Sequence, residues 1–125
     1  MKKINRLKIA TVENLLCDAM EGGSNYWYCI TGLTAPKNLN NSTADFKEYK
    51  RYSYPLNTSG AVEIEDMEGG EGKKYTLNLK AIREGIEVMR DKFPHHYANA
   101  ISENDDAETG DVFLQCCLFK DVIYG

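Results

Sequence analysis

The chain has 125 residues, the size of one domain, with 42% hydrophobic and 27% charged residues, ten glycines and three prolines. That composition excludes a disordered tail or a collagen-like fibre and predicts a single globular domain over residues 1–125. Fifteen Lys and Arg against nineteen Asp and Glu give a net charge of −4, which excludes bulk attraction to nucleic acid or anionic lipid and leaves room only for a local basic patch.

The longest apolar run, Val112 to Phe119, is interrupted by Gln115 and falls far short of the ~20 residues that cross a bilayer. Met1-Lys2-Lys3 has the charge of a signal n-region, but Asn5, Arg6 and Lys8 stand where an apolar stretch would follow, so a cytoplasmic protein is expected. Cys17, Cys29, Cys116 and Cys117 lie in apolar surroundings and are expected as buried thiols. Adjacent helical side chains point about 100° apart, so Cys116 and Cys117 do not clamp one metal together.

Lys2 to Ala10 alternates loosely, as a short edge strand guarded by lysines does. Thr11 stands at an N-cap position, and Val12, Leu15, Leu16 and Ala19 recur on one helical face. Gly22-Gly23 ends that helix, with a glycine accepting the left-handed conformation beyond it. Asn25 to Thr31 is aromatic and β-branched and predicts a strand, with Tyr26, Tyr28 and Ile30 on one face and Trp27, Cys29 and Thr31 on the other. Gly32 to Ser59 is mostly polar, with a possible short helix over Asp45–Arg51 and a turn at Tyr54–Asn57.

Ala61–Asp66 and Lys74–Leu79 form a predicted hairpin, Val62 and Ile64 facing inward, joined by the glycine-rich Glu68–Gly72 loop. Asn78 caps a helix whose inner face is Leu79, Ile82, Ile86, Met89 and Phe93; Gly85 within it implies close approach of another backbone. Pro94 stops that helix and opens the next, Pro94–Ser102. Asp106 or Thr109 caps a last helix to about Phe119, with Val112, Phe113, Cys116 and Cys117 inward, and an extended tail follows to Gly125. The class is α+β: a small antiparallel sheet with an N-terminal helix and a C-terminal bundle of about three helices.

Two stretches carry a resemblance. Glu21-Gly22-Gly23-Ser24-Asn25-Tyr26-Trp27, with Tyr54-Pro55-Leu56-Asn57, is one, and Asn104 to Gln115, closing on Tyr124-Gly125, is the other. They resemble short accessory proteins of tailed phages and prophages over most of the chain outside Gly32–Ser53. Lys120 departs from the glycine that the resemblance leads one to expect before the last segment. No named activity travels with the family. The context implies a small viral protein that binds and disables a host defence component.

The residues carry no nucleophile elbow, Walker loop or dinucleotide fingerprint, and His95 and His96 are adjacent instead of four apart, so no enzyme, metal or cofactor is expected. Counted from Asn104, the sixth position is Thr109 and the twelfth Gln115, so an EF-hand fails. Asp105 and Asp106 are expected to cap the final helix, the alternatives being a partner contact or a metal. Phe46 to Tyr54 alternates rings and cations, which suits stacking on a base while a cation holds a phosphate. A Tyr-rich strand guarded by lysines is the plainer alternative, and a protein-binding surface anchored by Tyr and Arg is the third. The candidate binding residues are therefore Tyr26, Trp27, Tyr49, Lys50, Arg51, Tyr52, Asp105 and Asp106. The expectation is a non-enzymatic anti-defence inhibitor acting on a host protein in the bacterial cytoplasm. A sponge for a nucleotide signal and a small structural phage protein are the alternatives, and a homo-oligomer is allowed.

Overall fold

The computed structural model describes residues 3–34, 54–57, 60–69 and 72–125; the helix expected over Asp45–Arg51 lies outside them. The chain opens in a miniature hairpin in which β1 (Lys3–Ile4) pairs antiparallel with β2 (Leu7–Lys8), burying Ile4 and Leu7. Asn5 and Arg6, the two turn residues, both have positive φ, at 54° and 122°. Helix α1 (Ile9–Asp18) follows without a break. Its N-cap is Lys8, with no side-chain hydrogen bond, and not the expected Thr11: the hairpin aims the chain into the helix, so no capping side chain sets its start. The inner face is as expected, with Val12, Leu15, Leu16 and Ala19 fully buried.

The helix then widens into a π-helical turn over Ala19–Gly23. The glycine pair ends it for a different reason from the one expected. Neither glycine has positive φ. A side chain at Gly23 would instead strike the carbonyl of Ala107, so this glycine lets two backbones approach. The next strand, β3, begins at Tyr28 and runs Tyr28–Thr34, later than sequence suggests, because Ser24 to Trp27 forms a turn with Trp27 N donating to Ser24 O at 3.1 Å.

Tyr54–Asn57, expected as a turn, is a short helix (α2). Strands β4 (Ala61–Asp66) and β5 (Lys74–Leu77) complete an antiparallel sheet in the order β3-β4-β5. Its register sets Ile30 opposite Ile64 and Tyr28 opposite Asp66, with an irregularity between Ile30 and Gly32. Val62 and Ile64 are fully buried and Glu63 and Glu65 are only half-buried, as the alternation predicts.

Helices α3 (Leu79–Lys92), α4 (Pro94–Ile101) and α5 (Ala107–Phe119) form the C-terminal bundle, and the fold is α+β. Asn78 caps α3, accepting from Ala81 N at 2.8 Å, and Asp106 caps α5, accepting from Thr109 N at 2.9 Å. Helix α5 is the axle of the domain. Thr109 to Cys117 are all buried, because α1 and the π turn cover one side and α3 the other. A helix buried all round has no polar stripe, so an inward face of Val112, Phe113, Cys116 and Cys117 describes only part of it. Gly85 of α3 is where the two backbones meet: a Cβ there would lie 2.7 Å from Cys117 Cα.

None of the four cysteines is joined in a disulfide. Cys116 and Cys117 are buried, and burial pushes the Cys116 thiol up to about 12. Cys17 and Cys29 are only half-buried, against expectation; Cys29 shares the outer sheet face with its register partner Glu65.

Candidate functional site

The turn that follows α1 and the start of α5 meet in space at one carboxylate. Asp111, on the second turn of α5, is 8% exposed and takes three side-chain donors from the turn that ends α1. Ser24 Oγ donates to Oδ1 at 2.7 Å, Trp27 Nε1 donates to Oδ1 at 2.7 Å, and Tyr26 OH donates to Oδ2 at 2.6 Å. A buried carboxylate demands such partners, since leaving a charge unsatisfied away from water is costly. The turn is three residues of side-chain chemistry organised around one acceptor. That is why the strand does not begin at Asn25.

One helical turn further on, Gln115 holds the C-terminal tail. Its Oε1 accepts the backbone N–H of Ile123 and of Tyr124, each at 2.9 Å, and its Nε2 donates to Tyr124 O at 3.1 Å. Tyr124 OH then donates to Asp66 Oδ2 at 2.7 Å, while Asp66 Oδ1 accepts from Glu68 N and Gly69 N. Backbone joins the same corner, with Met67 N donating to Trp27 O at 2.7 Å. Beneath lies a ring cluster, with Trp27 packed 5.1 Å from Phe119 and 5.9 Å from Tyr124 between ring centres.

Around this braced corner the protein exposes apolar side chains. Tyr26 is 46% exposed, Met67 50% and Ile123 54%, three of the four large hydrophobic residues exposed among those described. Burial and then the hydrogen bond to Asp111 raise the Tyr26 phenol well above its ordinary value, so it keeps its proton and remains a donor. The hydrogen bond to Asp66, followed by burial, pushes Tyr124 up to about 12. The charge of Glu68 acts on both phenols and gives the corner an acidic edge.

The residues singled out from sequence divide. Tyr26 lies on this surface. Trp27 does not: it is fully buried and supports the surface from beneath, because its indole N–H serves Asp111. Tyr49, Lys50, Arg51 and Tyr52 lie outside the described residues. Tyr54, the last ring of that alternating stretch, is 1% exposed and donates to Thr34 O at 2.9 Å, so it is a core residue and no stacking platform.

Asp106 acts as the α5 cap, and its bond from Thr109 N holds its carboxyl below the usual range. Asp105 faces Asp18 at the end of α1. Burial, a hydrogen bond with the Asp105 carboxyl and the charges of Asp105 and Asp106 push Asp18 up to about 7. Asp18 Oδ2 is buried and has no hydrogen-bond partner among the described residues, which agrees with a carboxyl that holds its proton. Among the described residues no three His, Cys, Asp or Glu side chains converge as metal ligands.

Sequence reasoning missed Asp111 and Gln115 as an organising pair. The signal was present, since they stand four apart inside the apolar stretch of a helix and therefore share a buried face. Comparison of the chain with protein-family models, with curated proteins and with solved structures finds no match in any of the three. No helix among the described residues is long and apolar enough to cross a membrane.

Proposed function

We propose that this is a binding protein that acts through the Tyr26–Met67–Ile123 corner on a partner protein, and that the partner is a host defence component met during phage infection. The observation that carries the reading is the gathering of three exposed apolar side chains around a network that holds their backbones rigid. Such side chains are costly to leave in water, and a pre-ordered backbone loses little further entropy on binding. Tyr is among the commonest interface anchors, and a rim carrying Glu68 suits a partner with an apolar centre and basic surroundings. The phage context comes from the resemblance, whose stretches supply Ser24, Tyr26, Trp27, Asp111, Gln115 and Tyr124 to this corner, while Met67 and Ile123 lie outside them.

The test is phage plating on hosts carrying defined defence systems, with the protein and with a Met67→Asp, Ile123→Asp double variant expressed in them. Both positions are exposed, so the variant is expected to keep the wild-type melting temperature. The wild type should restore plating on at least one defended host, and the variant should lose that effect. Plating unchanged by the wild type on every defended host, or restored equally by the variant, would overturn the proposal.

A further inference from the structure

The N-terminal hairpin breaks two local rules within six residues. Lys3 and Lys8 are register partners, so two like charges stand directly opposite each other on one face. Arg6 has φ 122°, a conformation that favours glycine. The turn is held in place, since Asn5 Nδ2 donates to Arg83 O at 2.9 Å and to Glu87 Oε2 at 3.0 Å on α3. Asn-Gly is the pair that such a two-residue turn ordinarily takes, and here the glycine position is a cation. None of Lys3, Arg6 and Lys8 has an ion-pair partner among the described residues, where the ion pairs fall on Glu84, Glu87, Asp91 and Asp121.

These three cations line one cavity of about 290 Å³. Tyr97 and Ile101, from α4, line it as well, and Ile101 is 57% exposed, the highest value among the exposed large hydrophobic residues described. Thr11, in the first turn of α1, adds a hydroxyl. Glu103 is the single acid among the described lining residues, whose formal charge is plus two in a protein of net charge −4. Strain and charge repulsion kept together at a cavity point to a ligand that relieves the repulsion.

We propose that this cavity binds a small organic phosphate of the size of a nucleoside monophosphate. Lys3, Arg6 and Lys8 hold the phosphate, the ring lies against Tyr97 and Ile101, and Glu103 accepts from a hydroxyl or amino group. A guanidinium presents paired N–H donors to phosphate oxygens, and two ammonium groups add charge without further shape. The volume sits at the lower end of small-molecule sites. The cavity shares no lining residue with the Tyr26 corner, so the inference stands independently of the protein-binding reading.

The test is calorimetric titration of the full chain with adenosine 5′-monophosphate, adenosine and inorganic phosphate, alongside Arg6→Gly and a Lys3→Ala, Lys8→Ala variant. Wild type should bind the nucleotide saturably and more tightly than either fragment, with affinity falling as salt rises. Arg6→Gly should melt higher than wild type, because it relieves the turn, yet bind at least about tenfold more weakly. The double lysine variant, folded by circular dichroism, should weaken binding likewise. No saturable binding by the nucleotide, or nucleotide binding kept at wild-type strength in Arg6→Gly, would overturn the proposal.

Discussion

The indole N–H of Trp27 and the carboxylate of Asp111 meet at 2.7 Å although 84 residues separate them, and both side chains are buried. This contact pins the turn after α1 to the central helix, and Ser24 and Tyr26 close on the same carboxylate. The consequence is a surface whose exposed ring, Tyr26, is fixed by its own hydroxyl.

Asp111→Ala should therefore be among the most damaging single changes. It strands the Trp27 N–H and the Ser24 hydroxyl in a buried site, at about 1–3 kcal/mol for each unsatisfied group. Asp111→Asn keeps an acceptor for both and should cost less. Trp27 is the only tryptophan, so urea unfolding followed by its fluorescence reports the corner directly. Equal stability of Asp111→Ala and wild type would contradict the role given to this carboxylate.

Lys120 ends α5 at φ 60°, ψ 22°, the left-handed conformation in which glycine is usual. Lys120→Gly should relieve the backbone and lose the bond from Lys120 Nζ to Cys117 O at 2.7 Å and the exposed ion pair with Glu84. Removing the Cβ from the left-handed region gains about 1–2 kcal/mol and the side-chain bond is partly exposed, so a melting temperature equal to or above wild type is expected. A clear fall would mean that the lysine's contacts outweigh its backbone strain.

Much of the C-terminal half is legible in the sequence because its signals are local. Asn78 and Asp106 cap their helices as their positions predict, and Gly85 marks the close approach to Cys117. The N-terminal half is less legible, since its boundaries are set by partners remote in sequence. The end of α1 depends on Ala107 beside Gly23, and the start of β3 depends on Asp111. Alternation placed Tyr28 and Ile30 on one face correctly and Trp27 wrongly, because a residue whose N–H binds a helix 84 positions away has left the strand's pleat.

Gly85→Ala tests the tightest helix contact. Alanine gains about 1 kcal/mol of helix propensity over glycine. At this place the added Cβ would lie 2.5 Å from Cys117 Sγ, 2.7 Å from its Cα and 2.8 Å from its N. Backbone cannot rotate away as a side-chain tip does, so overpacking of about 1–3 kcal/mol should win. The expected result is a lower denaturation midpoint, and a rise would show that α3 and α5 separate without cost.

The Asp18–Asp105 pair makes stability depend on pH in an unusual direction. A carboxyl in the unfolded chain titrates near 4, whereas burial and the neighbouring acids hold Asp18 at about 7 in the folded protein. Between those values the native state binds a proton that the unfolded state has released, so folding stability falls as pH rises through this window. Most carboxylates act in the opposite sense; Asp106, held below the usual range by its bond from Thr109 N, contributes stability that is lost as pH falls through its folded value. The pair thus predicts a gain in melting temperature on going from pH 8 to pH 6. Asp18→Asn keeps the shape of the side chain and removes its titrating carboxyl beside Asp105 and Asp106. It should raise the melting temperature at pH 8 and flatten the pH dependence between 6 and 8. A variant whose melting profile keeps the wild-type slope across that interval would show that the proton is held elsewhere.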